Sequence, residues 1–118
     1  MASRTSMPLA HPLLEDFDLF RIMGALADPV RRGIVATLAS SPDLSCGGIY
    51  RDVTPSVLTR HFRLLREVGL IRQRDVGVTR YNVLRKDDLD ARFPGLMDLV
   101  IRESAEYAQP VDAKKARA

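Results

Sequence analysis

Cysteine and long apolar runs are scarce in this sequence, and each scarcity excludes a class of protein. One residue of the 118 is a cysteine, Cys46, so the chain can form neither an internal disulfide nor a cysteine-cluster metal site. The apolar runs are far shorter than the roughly 18 residues of a membrane span, and the first dozen residues lack the apolar core of a secretory signal. We therefore expect a cytoplasmic protein that makes no membrane contact.

Acidic residues are scarce between positions 51 and 85. This segment holds eight arginines against three acids, a net charge of +5, whereas the whole chain has a formal net charge of +3. A solvated protein surface normally intersperses the two signs. Positive charge concentrated in one segment is instead typical of a surface that meets nucleic acid.

Apolar periodicity and capping residues predict a series of helices. A first helix is expected over residues 13–27, with more apolar surface than one core face requires. Asp28 and Pro29 begin a second helix, because aspartate caps exposed N–H groups and proline suits the first helical position. Only a short helix is expected around Gly47 and Gly48, since glycine weakens helices.

Thr54 and Pro55 repeat the pattern of a cap followed by proline, and predict a helix to about Val68 that ends at Gly69. At 100° per residue, apolar side chains share one side of this helix. That side includes Leu58, Phe62 and Leu65. The opposite side carries Ser56, Thr59, Arg60, Arg63, Arg66 and Glu67.

A β-hairpin and a last helix complete the pattern. The hairpin has a tight turn at Val76-Gly77, and we expect it to have one apolar and one basic side. The apolar side comprises Ile71, Val78, Tyr81 and Val83, and the basic side comprises Arg72, Arg74 and Arg80. After an acidic turn, KDDLDARF, a last helix is expected over 94–108, again with excess apolar surface. The order of elements is that of a winged helix-turn-helix.

The polar side of the helix over 55–68 has the chemistry of a major-groove reader. Serine and threonine let the backbone approach base edges, and arginine can bond guanine O6 and N7 in bidentate fashion. Arg63 has Glu67 one turn later, but Arg60 lacks the acid at i±4 that a solvated face predicts. The pattern favours DNA reading by this helix and the adjoining wing.

Two residues keep more than one interpretation. His61 lies within the apolar side, about 60° from Leu58, and is either a partly buried, hydrogen-bonded histidine or a phosphate contact. A metal-ligand role is not expected, because the other histidine, His11, lies near the N-terminus. Cys46 is either a small core thiol or a redox-sensitive thiol.

The sequence resembles the ArsR/SmtB family of winged-helix transcriptional regulators over about residues 19–100. The segments that carry the resemblance are ALADPVRRGIVATL, LSCGGI and TPSVLTRHFRLLREVGLIRQRDVGVTRYNVL. The resemblance implies a homodimer joined through the first and last helices, and repression of an operator that ends when an effector binds. It places base reading on Pro55, Ser56, Val57, Thr59 and Arg60, with Arg63 on the backbone-contacting flank and Arg72, Arg74 and Arg80 on the wing.

The chain departs from that family at the sensor. Metal-sensing members carry a cysteine pair where this chain has Ser45, Cys46 and Gly47, and others use Asp, His and Glu on the last helix. Here the last helix offers Asp98, Glu103 and Glu106 without a histidine. Isolated carboxylates are a poor set for zinc, nickel or cobalt, so metal sensing is not expected and the effector stays unknown.

The sequence therefore predicts a mainly helical domain over 13–108 with flexible tails at 1–12 and 109–118. Its expected function is sequence-specific binding of double-stranded DNA, as a homodimeric repressor on an inverted-repeat operator. No nucleophile–base pair, paired carboxylates or metal cluster indicates an enzyme, and no cofactor is expected. Two alternatives remain, a winged-helix protein-interaction module and a redox-responsive regulator that senses through Cys46.

Overall fold

The structure has the helix-turn-helix and hairpin order that the sequence predicts. This computed structural model describes residues 9–41, 43–49 and 52–111, so Arg51 and the tail segments 1–8 and 112–118 lie outside the described residues. Within these ranges the helices are α1 Leu19–Ala25, α2 Pro29–Ser40, α3 Pro55–Val68, α4 Lys86–Arg92 and α5 Leu96–Ser104. The strands are β1 Leu44–Ser45, β2 Ile71–Val76 and β3 Thr79–Leu84. They form one antiparallel sheet in the order β1–β3–β2.

The N-terminal part differs from the single helix predicted over 13–27. A 3-10 turn at Leu14–Asp16 is followed by extended backbone at Phe17, and α1 begins only after Asp18. The Asp18 carboxylate accepts hydrogen bonds from the backbone N–H groups of Phe20 (2.9 Å) and Arg21 (3.2 Å). The prediction of one helix was wrong: Asp18 caps a separate helix, and the break lets the Phe17 ring enter the core.

A side-chain cap begins α2, whereas α3 begins without one. Asp28 caps α2 as predicted, since its carboxylate accepts from the N–H groups of Val30 (2.8 Å) and Arg31 (3.2 Å). At α3, Pro55 occupies the first turn as predicted, but the Thr54 side chain makes no capping hydrogen bond. The proline thus sets the start of α3 through its fixed φ and missing N–H donor.

Gly69 ends α3, as predicted, in the left-handed region with φ +96°. This conformation disfavours residues with a Cβ atom. A Cβ atom at this position would also overlap the ring carbons of Phe17. Glycine is therefore required here both by backbone conformation and by close approach of the N-terminal segment.

The hairpin has its turn one residue later than predicted, at Gly77 and Val78, with Gly77 at φ +62°. The predicted division into an apolar and a basic side was also wrong. Arg72 lies opposite Val83 and Arg74 lies opposite Tyr81, and directly opposite residues share one face of an antiparallel pair. The inner face instead carries Ile71, Gln73, Asn82 and Leu84, all buried, and Val78 is 97% exposed at the turn.

The segment KDDLDARF forms α4 instead of the predicted acidic turn. Leu89 at its centre is fully buried, which anchors the helix to the core. Lys86 pairs with Asp90 one turn later (2.7 Å), and Asp87 and Asp88 lie in the first turn, where the helix dipole favours negative charge. The last helix begins at Leu96 and continues as a 3-10 turn to Tyr107, close to the predicted span.

The core lies where α2 packs against α3, α5 and the sheet. Its fully buried apolar side chains include Ile22, Ile34, Val35, Leu65, Leu70, Ile71, Leu89 and Met97. In contrast, α1 exposes Phe20 and Met23, and α5 exposes Leu99. None of the helices in the described ranges is both long and apolar enough to cross a membrane.

The segment before the first 3-10 turn lies along the edge of β2. The backbone N–H of Gln73 donates to Nε2 of His11 (2.9 Å), and Arg85 donates to the carbonyl of Pro12 (2.8 Å). Since Nε2 accepts, the His11 hydrogen must be on Nδ1, which donates to the Leu9 carbonyl (3.1 Å). The imidazole is therefore bound in its neutral form. Burial, followed by the nearby Arg72 charge, lowers the pKa of His11.

This lowered pKa predicts that acid weakens the fold. Below about pH 6.5, the ordinary imidazole pKa, the unfolded chain binds a proton before the folded chain does. We expect the free energy of unfolding of the wild type to fall, relative to His11→Gln, as the pH drops through this region. Glutamine can still accept the Gln73 N–H but does not titrate. Urea unfolding of both proteins across this range measures the difference, and a difference that stays constant with pH would contradict the assignment.

Candidate nucleic-acid interface

The exposed face of α3 presents small polar residues at its start and arginines further along. Leu58, Phe62, Leu65 and Val68 are buried, so the helix is amphipathic as its pattern predicts. Seven residues along its first nine positions were expected to contact DNA. His61 is half-buried, and the other six are exposed: Pro55, Ser56, Val57, Thr59, Arg60 and Arg63. The Thr59 hydroxyl donates to the Pro55 carbonyl (2.8 Å), which leaves its oxygen as an outward acceptor.

The arginines of α3 differ in their partners. Within the described ranges, neither Arg60 nor Arg63 makes a hydrogen bond or an ion pair. Arg66 is half-buried, and its Nη1 donates to Oε1 of Gln73 (2.8 Å). Two cations of the helix are therefore available to an external anion, while the third binds the sheet.

The wing arginines are paired with carboxylates. Arg74 forms a bidentate pair with Asp43, and its guanidinium lies 5.0 Å from the centroid of the Tyr81 ring. The hydrogen bond from Arg74 lowers the pKa of Asp43. The other two wing arginines are also paired: Arg80 Nε with Asp75 Oδ1 at 2.7 Å, and Arg72 Nη2 with Asp88 Oδ2 at 3.5 Å. An anion at the wing would have to replace these carboxylates.

A groove of about 750 Å³ separates α3 from the wing. Its lining comes from the start of the chain, the segment before α3, α3 and the hairpin: Leu9, Ser45, Cys46, Gly47, Thr59, Phe62, Arg63, Arg66, Gln73, Val78, Thr79 and Arg80. The described residues thus contribute three arginines and no carboxylate to this lining. Such a groove suits an extended polyanion.

Buried amides connect the two walls of this groove. Gln73, which accepts from Arg66, donates through Nε2 to Oδ1 of Asn82 (2.7 Å). Asn82 in turn donates to the Leu44 carbonyl (3.0 Å) and lies 3.2 Å from Sγ of Cys46. Gln73 is 4% exposed and Asn82 is fully buried. We call this chain of side chains the amide network. It was not predicted from the sequence, although amides at inward-facing strand positions were a readable signal.

Cys46 lies at the end of the amide network. Its side chain is half-buried in the 3-10 turn Cys46–Gly48, and burial raises the pKa of its thiol. The thiolate is the reactive form of cysteine, so a raised pKa lowers reactivity toward oxidants. Of the two interpretations of Cys46, these features favour a packing residue.

His61 lies on the other side of α3 from the wing. It is half-buried, and its Nδ1 is 3.1 Å from Nη1 of Arg31 on α2. Arg31 was not among the residues that the sequence singled out. In the described part of the chain, no group of three or more His, Cys, Asp and Glu side chains is placed to hold a metal ion.

The fold and this surface define the class of a winged helix-turn-helix protein, and comparisons with known proteins identify the family. The family model described as "Helix-turn-helix domain" matches residues 26–74. The chain is 35% identical over 81 residues to the uncharacterized HTH-type transcriptional regulator YceK of Bacillus subtilis, covering 66% of this chain and 81% of that protein. It is 33% identical over 96 residues to the HTH-type transcriptional regulator Rv2034 of Mycobacterium tuberculosis, covering 80% of this chain and 89% of that protein. The chain belongs to the family of HTH-type transcriptional regulators.

Proposed function

We propose that this protein regulates transcription by binding double-stranded DNA, with α3 in the major groove and the wing along the backbone. The observation that carries this proposal is the exposed side of α3. It presents the unpaired cations Arg60 and Arg63 beside a groove lined by arginines, in a chain of the HTH-type regulator family.

Base reading is assigned to the start of α3. Pro55, Ser56, Val57 and Thr59 are exposed and short, so the helix can approach base edges closely. Arg60 follows within the first two turns and has no partner among the described residues. A free guanidinium at this position can bond guanine O6 and N7 without first losing a carboxylate.

Backbone contacts are assigned to Arg63 and to the wing residues Arg72, Arg74 and Arg80. The three wing arginines are held by carboxylates, and exposed ion pairs of this kind contribute little to stability. Exchanging a carboxylate for a phosphate is therefore feasible. Because each wing arginine must first lose its carboxylate, it contributes less to DNA affinity than an unpaired arginine does.

We propose more specifically that the protein is an ArsR/SmtB-type repressor that binds an inverted-repeat operator as a homodimer. Its support is the resemblance of the α3 and hairpin sequence, together with the apolar side chains that α1 and α5 leave exposed. Phe20 is 77%, Met23 49% and Leu99 48% exposed, and large apolar surface that a fold leaves uncovered marks an interaction site.

The division between reading and backbone contact predicts different behaviour for two variants. Arg60→Ala should weaken binding to a selected operator by about 1–3 kcal/mol per half-site and relax the preference at one base position. Arg74→Ala should weaken binding to the operator and to the scrambled duplex alike. It should also flatten the slope of log Kd against log salt by about 0.9 for each phosphate that the variant no longer neutralises. A salt titration of both variants on both duplexes measures these effects.

Arg102→Ala is the matched control for charge, because Arg102 is exposed on α5 and pairs only with its neighbour Glu103 within the described residues. An equal loss of affinity on both duplexes for Arg60→Ala would show that Arg60 contacts only phosphate. Absence of any duplex binding by the wild type would overturn the proposed function.

The dimer predicts a molecular mass of twice the 13.2 kDa of one chain. Sedimentation of the wild type at micromolar concentration should show this mass, and Phe20→Glu should lower it toward that of the monomer by placing a charge in the apolar contact. Val78→Glu is the control, since Val78 is also exposed but lies at the wing tip. A wild type that sediments as a monomer would contradict the dimer.

A further inference from the structure

Arg31 and His61 form a pair that the DNA-contacting residues assigned above do not explain. Arg31 lies in the first turn of α2, and its Nε donates to the carbonyl of Ala25 (2.6 Å). Its Nη1 is 3.1 Å from Nδ1 of His61 on α3. A guanidinium tied at two nitrogens has a fixed position, so this pair is a defined feature of the surface between α2 and α3.

The pair determines which imidazole nitrogen carries the hydrogen. A guanidinium has donors and no acceptor, so Nδ1 of His61 must accept from Arg31 and cannot carry a hydrogen. The neutral ring then carries its hydrogen on Nε2. Within the described residues, Nε2 of His61 has no hydrogen-bond partner. Arg31 thereby leaves His61 with one unused donor and retains its own positive charge beside it.

The surroundings of this donor suit an anion. Both side chains line a depression of about 380 Å³ together with Arg60 and Arg63, against one carboxylate, Glu67. The backbone N–H groups of Val30 and Arg31, at the start of α2, already donate to the Asp28 carboxylate. These two N–H groups are therefore not available to bind an anion. Recognition here would rest on side chains: a neutral N–H from the imidazole and charge from guanidinium groups.

We propose that Arg31 and His61 bind a phosphodiester group of the DNA strand that borders α3 on the side of α2. This inference rests on the proposed function. A helix in the major groove has a sugar–phosphate strand on each side. The arginine-lined groove between α3 and the wing serves one strand, and the Arg31–His61 pair serves the other.

The two members of the pair predict different salt dependence, because only a charged contact releases counterions. Arg31→Gln should weaken duplex binding and flatten the slope of log Kd against log salt by about 0.9. His61→Asn should weaken binding about threefold to tenfold with no change of slope, as expected for one neutral hydrogen bond. Asparagine keeps an acceptor near the Nδ1 position but lacks the outward donor.

His61→Gln is the conservative control, because its amide reaches near the Nε2 position and can donate outward. We expect its affinity to lie closer to the wild type than that of His61→Asn. Arg102→Gln on α5 controls for the loss of one charge. Thermal unfolding of each variant separates weakened binding from a weakened fold.

Nitrogen NMR of the wild-type imidazole gives a second readout that needs no variant. It should show the His61 hydrogen on Nε2 in the free protein, and a hydrogen on Nδ1 would overturn the proposal. Titration with inorganic phosphate alone distinguishes the source of the anion. A saturable shift of the His61 signals without DNA would assign the site to a free phosphate ion and overturn the duplex assignment.

The outcomes separate this inference from the function on which it rests. If the wild type binds no duplex, the proposed function fails. If the wild type binds duplex while Arg31→Gln keeps the wild-type slope, the phosphate site fails and the function stands. If Arg31→Gln loses affinity with an unchanged slope, Arg31 only positions His61 and the proposal of a two-residue phosphate site is wrong.

Discussion

Two buried amides, Gln73 and Asn82, hold the wing to α3. Gln73 accepts from Arg66 on α3 and donates to Asn82 on β3, which donates to the carbonyl of Leu44 on β1. An unpaired buried polar group costs about 1–3 kcal/mol, and pulling the wing from α3 would break the Arg66–Gln73 bond and leave the buried Gln73 oxygen without its partner. The relative position of α3 and the wing is therefore set before any ligand arrives. The shape of the groove between them follows from that position.

The arginines of α3 and those of the wing differ in whether they are paired. Arg60 and Arg63 have no partner among the described residues and stand on the exposed side of α3. The wing arginines are paired with carboxylates, and Arg74 is also stacked against Tyr81. An unpaired arginine contributes its whole interaction with a phosphate to the affinity. A paired arginine contributes only the difference between its interaction free energies with the phosphate and with the carboxylate that it loses. Under the proposed function, affinity for DNA is therefore concentrated on α3, and the wing acts mainly through its position.

Much of the fold could be predicted because local chemistry and global packing agree there. The start of α2 at Asp28, the end of α3 at Gly69 and the amphipathic face of α3 are each determined by residues within one or two turns. The break at Phe17 could not be predicted from periodicity, because the apolar pattern continues across it. It depends on a distant residue, Gly69, whose missing side chain makes room for the ring.

The two sides of the hairpin were predicted wrongly for a different reason. Side chains alternate between the two faces of a strand, and directly opposite residues of an antiparallel pair share one face. The sequence suggested that the apolar residues Tyr81 and Val83 faced the core together, but the observed pairing puts them beside Arg74 and Arg72. The inward positions are instead held by amides, whose value lies in specific hydrogen bonds and not in apolar area. The predicted turn at Val76-Gly77 would pair Arg72 with Tyr81, and the observed turn pairs Arg72 with Val83, so the predicted sides were wrong because they ignored cross-strand pairing. The Arg31–His61 pair joins residues that only the tertiary fold brings together.

We infer that α3 and the wing form one surface whose geometry the amide network sets before DNA binds. Residual dipolar couplings of the backbone N–H groups of α3 and of the β2–β3 hairpin, measured free and bound to an operator duplex, report their relative orientation. Pre-organised partners move little on binding. We predict the same orientation of the hairpin relative to α3 in both states. A rotation of the hairpin against α3 when the duplex binds would contradict this claim.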